Sequence, residues 1–262
     1  RKVPMAKDLL IGRARTYHWD QLNYWVNSIK PPSFEGDIVL AATNMSGETV
    51  KKLVEHDVKV FAYGKRTEDG GIAKTENNIP PHVERFLFIW DYLRKHQGQY
   101  RFVVVTDTRD VIFQQDPSEY LESHLFRKSI VCASEGLAYK DEPWGRENLT
   151  QCYGQGIEED VKNKTIFNVG VLAGRGYARR YLVLQLFLNC INRPIPIVDQ
   201  AVFNVMISRH PYLNSTMYTV SEDGWACQLG TTADPSKIDS FKPFLLEPSP
   251  KLEGEKVVTS TG

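Results

Sequence analysis

The sequence predicts an α/β fold: a mixed, mostly parallel central sheet with helices on both faces. Two observations carry this expectation. Short runs of unbroken apolarity recur through the first half, as strands buried on both faces require. Amphipathic segments with helical spacing separate those runs, which is the alternation of a doubly wound sheet.

The elements follow in order. "DLLIGRA" (8–14), "DIVLAAT" (37–43), "VKVFAYG" (58–64), "RFVVVTD" (101–107) and "SIVCASE" (129–135) have the length and continuous apolarity of buried parallel strands. Between them, "WDQLNYWVNSI" (19–29), "SGETVKKLVEH" (46–56) and "PHVERFLFIWDYLRKH" (81–96) read as helices. Ser46 with Glu48 starts the second, and Pro81 starts the third. The aromatic-rich third helix, with Arg85, Phe86, Phe88, Trp90 and Tyr92, reads as core packing. The second half is less regular. Residues 135–160, "EGLAYKDEPWGRENLTQCYGQGIEED", are rich in Gly, charge and aromatics and read as one long functional loop. "TIFNVGVLAGR" (165–175) then reads as a strand, "YARRYLVLQLFLNCI" (177–191) as a helix, and "VDQAVFNVMIS" (198–208) as a helix starting near Asp199. The stretch 222–232 reads as a turn and strand, and the Pro-rich tail 242–262 as irregular.

Length and composition bound the function. With 262 residues, 42% of them hydrophobic, the chain can bury a sizeable core, and no composition shift marks a boundary, so 1–262 reads as one domain. Lys plus Arg and Asp plus Glu are 32 each, so no global field favours nucleic acid or an anionic surface, and a charged ligand has to be captured locally. Cys132, Cys152, Cys190 and Cys227 show no metal-binding spacing, which argues against zinc and leaves free thiols or one or two disulfides. Sequons at Asn44, Asn148, Asn163 and Asn214 lean towards a secretory-pathway lumen. The start "RKVPMAKDLL" lacks both an initiator Met and a signal-like core, which leads us to expect a processed form, cut from an N-terminal membrane anchor.

The chemistry concentrates where the fourth apolar run ends. Ligands of open α/β sheets bind at the carboxyl ends of the strands, and there "RFVVVTDTRDVIFQQDP" (101–117) sets Asp107 and Asp110 three residues apart. Two carboxylates so placed could hold Mn²⁺ or Mg²⁺ against a diphosphate. On spacing alone they read equally well as structural: Asp110 capping a helix from Val111 or pairing with Arg109, and Asp107 ending a strand.

"VVVTDTRDVIFQQDP" resembles the metal-binding motif of GT-A glycosyltransferases, as a "DTRD" variant of their DxD signature, and is similar to a "D-x-R-D-V-x-F-Q-x-D-P" group of algal and large-algal-virus glycosyltransferases. "FNVGVLAGR" (167–175) and "DQAVFN" (199–204) resemble later segments of the family in the same order. The resemblance runs from about Asp8 to Gly230 and implies a GT-A-like, Rossmann-like sheet and a metal-dependent transfer from a nucleotide-diphosphate sugar, a UDP-sugar, to a glycan or glycoprotein acceptor. It implies that Asp107 meets the nucleotide or the metal, that Asp110 is a metal ligand, and that Arg109 faces the diphosphate or braces the carboxylates. It further implies that Asn168 and Gly170 line the donor sugar, and that Gln200 contacts it. Asp199 is then a candidate base, as is Glu135, with Asp141, Glu142, Tyr139 and Trp144 on the acceptor side. A late His completing the metal site is His210 or lies beyond Gly262. Gly170 as a packing gap and Asp199 as a helix cap remain the plain alternatives. The functional alternatives are a nucleotide-sugar- or carbohydrate-binding protein without turnover, or a nucleotidyltransferase. The latter is disfavoured because "LLIGRARTY" (9–17) has only Gly12 where a phosphate loop needs several glycines.

Overall fold

The structure is a computed structural model that describes residues 6–29, 34–113, 115–219, 223 and 225–228, together with the backbone of 251–253 and 256–258. In chain order the first elements are β1 (Lys7–Arg15), α1 (Trp19–Ile29), β2 (Asp37–Thr43), α2 (Gly47–Glu55), β3 (Val58–Ala62), α3 (Pro81–Lys95), β4 (Tyr100–Thr106) and β5 (Val111–Ile112). There follow α4 (Pro117–His124), β6 (Ile130–Ala138), α5 (Pro143–Tyr153), α6 (Gln155–Val161), β7 (Thr165–Arg175), α7 (Gly176–Cys190), α8 (Asp199–Ile207), β8 (Thr216–Thr219) and β9 (Cys227–Gln228). Two short strands, β10 (Lys251–Glu253) and β11 (Lys256–Val258), pair antiparallel, so that part of the tail is not irregular as expected. The rest of 242–262, and most of the 222–232 stretch, lie outside the described residues.

Seven strands form the central sheet in the order β3-β2-β1-β4-β7-β6-β8. Pairing from β3 through β4 is parallel, as the alternation of apolar runs and helices predicts. β7 reverses direction and lies antiparallel between β4 and β6. The "SIVCASE" run, antiparallel to β7, therefore points the same way as β1 to β4 and pairs parallel with β8. Within this sheet only β7 is reversed, which apolarity by itself could not reveal.

Side chains alternate across the sheet with the period of two that strand geometry imposes. Leu10, Leu40 and Val104 pack with Leu22, Trp25 and Leu53 of α1 and α2. Leu9, Val39, Val103 and Val105 face the opposite layer, which holds Phe86 and Ile89 of α3, Leu182 and Leu186 of α7, and Phe203 of α8. Helices thus cover both faces. The parity has a consequence at the end of β4, because Asp107 continues the series of Val103 and Val105 and so turns towards α3 and α8.

The helix starts follow local rules. Ser46 Oγ accepts from Thr49 N at 3.3 Å, and Pro81 opens α3. The 135–160 stretch is not one loop. β6 runs on to Ala138, and the rest folds into α5 and α6, with Glu142 accepting from Trp144 N at 3.3 Å as the cap and Pro143 in the first turn. Among the described residues no helix is long and apolar enough to cross a membrane.

Candidate active site

The turn after β4 is fixed before any ligand enters. Asp107 N donates to Gly170 O at 2.8 Å, which continues the β4–β7 ladder by one residue. Thr108 Oγ1 donates to Arg13 O at 3.2 Å and ties the turn to β1. Gly12 faces Thr108, and a Cβ there would strike the threonine methyl, so its role is close packing. Beyond Asp110 the chain enters β5, which pairs with β9. No helix starts at Val111, and the helix-cap explanation of Asp110 falls.

Asp107 and Asp199, 92 positions apart in sequence, meet through one side chain. Arg85 of α3 donates Nη1 to Asp107 Oδ1 and Nη2 to Asp199 Oδ2. Burial alone pulls the guanidinium pKa down, but the two carboxylates more than offset that and the net shift is upward. Arg85 therefore stays charged in an enclosed position. Asp199 caps nothing: the N-cap of α8 is Val198, and the Asp199 side chain is taken by Arg85.

The second wall comes from β6, β7 and α8. β6 and β7 slip register between Cys132 and Ala133, and again between Ser134 and Ala138. Bulges of this kind re-aim side chains next to sites. Gly136, at φ +80°, makes the second irregularity in a conformation that glycine tolerates. Glu135 there accepts on Oε1 from Asn168 Nδ2 at 2.8 Å and from Gln200 Nε2 at 3.0 Å. Burial raises its carboxyl pKa, against the lowering effect of those two donors. α8 also grips β7 directly. Gln200 Oε1 accepts from Val169 N at 3.4 Å, and Asn204 both accepts from Phe167 N and donates to Phe167 O at 2.8 Å. Asn168 Oδ1 accepts from Gly170 N at 2.6 Å. Gly170 packs closely against this group, since a Cβ there would run into Asp107 Oδ2 and Asn168 Oδ1.

On the other side of the turn, Asp110 accepts from Gln228 Nε2 at 3.1 Å. Its carboxyl is pushed up to about 6, first by burial and then by the charge of Asp107. Tyr17, at the mouth of β1, has its phenol pKa raised, chiefly by burial, and feels Arg109, Asp107 and Asp110.

The sequence-predicted residues thus divide into groups. Asp107, Asp199, Asn168, Gly170, Gln200 and Glu135 converge, and Asp110 adjoins them. Arg109 is exposed, with its guanidinium 6.0 Å from the Tyr17 ring centroid, and forms no ion pair with either carboxylate among the described residues. For Asp107 the bracing expected of it comes from Arg85. His210 lies beyond the carboxyl end of α8 while Asp199 opens that helix, so it is not brought to the carboxylates and is set aside as a metal ligand. Tyr139 is only 1% exposed, in a small core with Leu149 and Val161, so it offers no stacking face, whereas Trp144 stays exposed. Arg85 and Tyr17 escaped the sequence reading.

No family model matches the sequence, and no curated protein matches it either. Among solved structures the fold is similar to WbbM, a bifunctional glycosyltransferase in its apo form. The TM-score is 0.54 at 12% identity, over 85% of this chain and 40% of that one. It is also similar to an active-site mutant of LgtC, with a TM-score of 0.50 at 12% identity over 82% of this chain and 73% of that one. GlyE, a glycosyltransferase of Streptococcus pneumoniae TIGR4, gives 0.49 at 14% identity over 83% of this chain and 46% of that one. The chain thus spans less than half the length of WbbM and GlyE. At such identities the likeness is one of fold, and the fold is a glycosyltransferase-like α/β sheet of the GT-A kind.

Proposed function

We propose that this chain is a metal-dependent glycosyltransferase that moves a sugar from a nucleotide-diphosphate donor, a UDP-sugar, to a hydroxyl of a glycan or glycoprotein. The observation that carries the reading is the convergence of Asp107, Asp199 and Glu135 around Arg85, Asn168 and Gln200 at the carboxyl end of β4. Such a cluster suits chemistry better than stability, because burying several carboxylates costs free energy that an apolar core would not.

The residues fit a divalent cation. Asp107 and Asp110 lie close enough that the charge of one raises the pKa of the other, which is the repulsion a cation between them would relieve. Gly170 leaves Asp107 Oδ2 clear of a neighbouring Cβ. Mg²⁺ and Mn²⁺ sites of this class take one or two carboxylates and draw their remaining oxygens from phosphate and water. Asp107 and Asp110 would hold the ion, which supplies charge neutralisation on the departing diphosphate.

Each protein group then has a role. Arg85 holds Asp107 and Asp199 at a fixed separation, so the donor meets preset carboxylates instead of mobile ones. Asn168 and Gln200 orient Glu135 by donating to its Oε1, which leaves Oε2 to receive the proton of an acceptor hydroxyl in an inverting transfer. Burial favours that role by raising the carboxyl's proton affinity. Asp199, ion-paired to Arg85, is the positioning partner. Tyr17 supplies an aromatic face beside the turn for the nucleotide, and exposed Trp144 one for an acceptor sugar.

Calorimetric titration of UDP with and without Mn²⁺ tests the reading, with GDP and CMP as base controls. Tighter UDP binding with the metal is expected, together with consumption of a UDP-sugar. UDP affinity that ignores the metal would return Asp107 and Asp110 to a structural role. Metal-assisted binding without consumption of any UDP-sugar would identify a binding protein.

A further inference from the structure

The edge of the sheet where β4 begins, opposite the end that carries Asp107, is both aromatic and basic. Phe126, in the turn before β6, is 76% exposed, and Tyr177 and Tyr181, one turn apart on α7, are 61% and 57% exposed. Leu188, further along α7, is 54% exposed. Positions 177, 181 and 188 lie on one face of a helix. α7 therefore carries apolar groups on its outer face as well as on the inner face that packs Leu182, Val183 and Leu186 onto the sheet. Large apolar side chains left exposed together at one end of a fold mark a candidate interaction site.

Polar and basic groups lie among these side chains. Arg175 Nη2 donates to Phe126 O at 2.6 Å, Ser129 Oγ and Tyr177 Oη are 3.1 Å apart, and the Arg180 guanidinium sits 5.0 Å from the Tyr181 ring centroid. Arg127, Lys128, Arg175 and Arg180 share this edge, and none forms an ion pair among the described residues. The chain as a whole has zero net charge, so the concentration is local. Arg101 differs, being paired with Asp8 at 2.8 Å and Glu122 at 3.2 Å. Between the start of β4 and the first turn of α7 lies a cavity of about 340 Å³ that includes His96, Tyr100, Arg175, Tyr177 and Arg180 in its walls and no carboxylate.

We propose that this edge docks the protein on an anionic phospholipid surface, with Phe126, Tyr177 and Tyr181 entering the headgroup boundary and the basic residues taking headgroup phosphates, one of them in the cavity. A lipid surface fits better than a soluble polyanion. A polyanion would leave the Phe126 ring in water, whereas the boundary of a bilayer buries it and suits tyrosines, which have an apolar body and a polar tip. Docking through these side chains reaches only the headgroup boundary, and among the described residues no helix is long and apolar enough to cross a membrane. Vesicle binding needs neither donor nor turnover, so the inference stands or falls apart from sugar transfer.

The test is co-sedimentation of the full chain, without nucleotide, on vesicles of phosphatidylcholine alone and of phosphatidylcholine mixed with phosphatidylserine. Binding is expected on the mixed vesicles only, weakening as salt rises. Arg180→Gln should lower the partition roughly fivefold, the worth of one basic residue near an anionic surface. Phe126→Ser should lower it about tenfold, as partial burial of a phenyl ring predicts. Both positions are at the surface, and unchanged melting temperatures would show intact folding. Absence of binding to mixed vesicles, or equal binding to neutral ones, overturns the proposal. So does binding that Phe126→Ser leaves unchanged while the protein is retained on immobilised heparin, an outcome that would make a soluble polyanion the partner.

Discussion

Replacing Asp110 by Asn should make the metal-free protein more stable at neutral pH while it disables donor binding. The Asp110 carboxyl is pushed up to about 6 by burial and by Asp107, against an ordinary value of roughly 3.9. A raised folded-state pKa means that the folded chain holds a proton that the unfolded chain has released. The associated stability is therefore fully present below about pH 4 and is lost as pH rises through about 6. About two units correspond to at most about 3 kcal/mol, and solvent screening at this half-buried position brings the expected effect to about 1–2 kcal/mol. Asn keeps an oxygen for the 3.1 Å bond from Gln228, so little packing is lost. Thermal melting without metal should show the variant about 3–6 °C above wild type near pH 7.5, with the gap closing near pH 4. Stabilisation by UDP with Mn²⁺ should belong to wild type alone. A variant no more stable than wild type at neutral pH, or a gap equal at both pH values, would refute the account of Asp110 as a carboxylate held at a cost for its metal.

Three further outcomes follow from the geometry. Arg85→Met strands Asp107 and Asp199 without their shared cation, so chemical denaturation should register a loss of about 3–5 kcal/mol; a near-neutral effect would mean that the pair is solvated. Glu135→Gln should keep UDP affinity while turnover falls roughly hundred- to ten-thousand-fold, and if Asp199→Asn alone behaves that way the base has been misassigned. In a glycosylating host, peptide mapping should find glycans on exposed Asn163 and Asn214 but not on Asn148, which is 9% exposed and donates to Ile197 O. Occupancy at Asn148 would contradict its burial, and none anywhere would remove the support that the sequons lend to a secretory-pathway lumen.

Much of the fold was legible because parallel strands buried on both faces announce themselves as unbroken apolar runs. Asp107 was legible for the same reason, as a carboxylate that ends such a run. Arg85 was hidden by its neighbours. "VERFLFIW" scans as a core helix, and the signal that a charge pair inside that stretch must have a purpose was outweighed by the aromatics around it. Glu84 beside it is fully buried and paired with Arg13, so the helix holds one fully buried charge and one half-buried one. The 135–160 stretch misled because its glycines and charges read as loop, although Glu142-Pro143 is a helix start and Gly154, at φ +79°, ends that helix. His210 failed because order along the chain carries no distance. A nine-residue helix, about 13 Å long, separates it from Asp199.

The grip of α8 on β7 has a consequence for how the site can change. Asp199, Gln200 and Asn204 reach, within little more than one helical turn, the shared guanidinium, the Glu135 carboxylate and the backbone of the strand at Phe167 and Val169. Substitutions among residues that share partners in this way do not add. Removing Gln200 would take one of the two donors from Glu135 and loosen Val169 together, and a second loss nearby would find less left to disturb. On the proposed reading, a wall built on shared amides drifts poorly by single steps, so a new acceptor preference, reached through the residues around exposed Trp144, would evolve more readily than a new donor preference reached through the Asn168 to Gly170 strand.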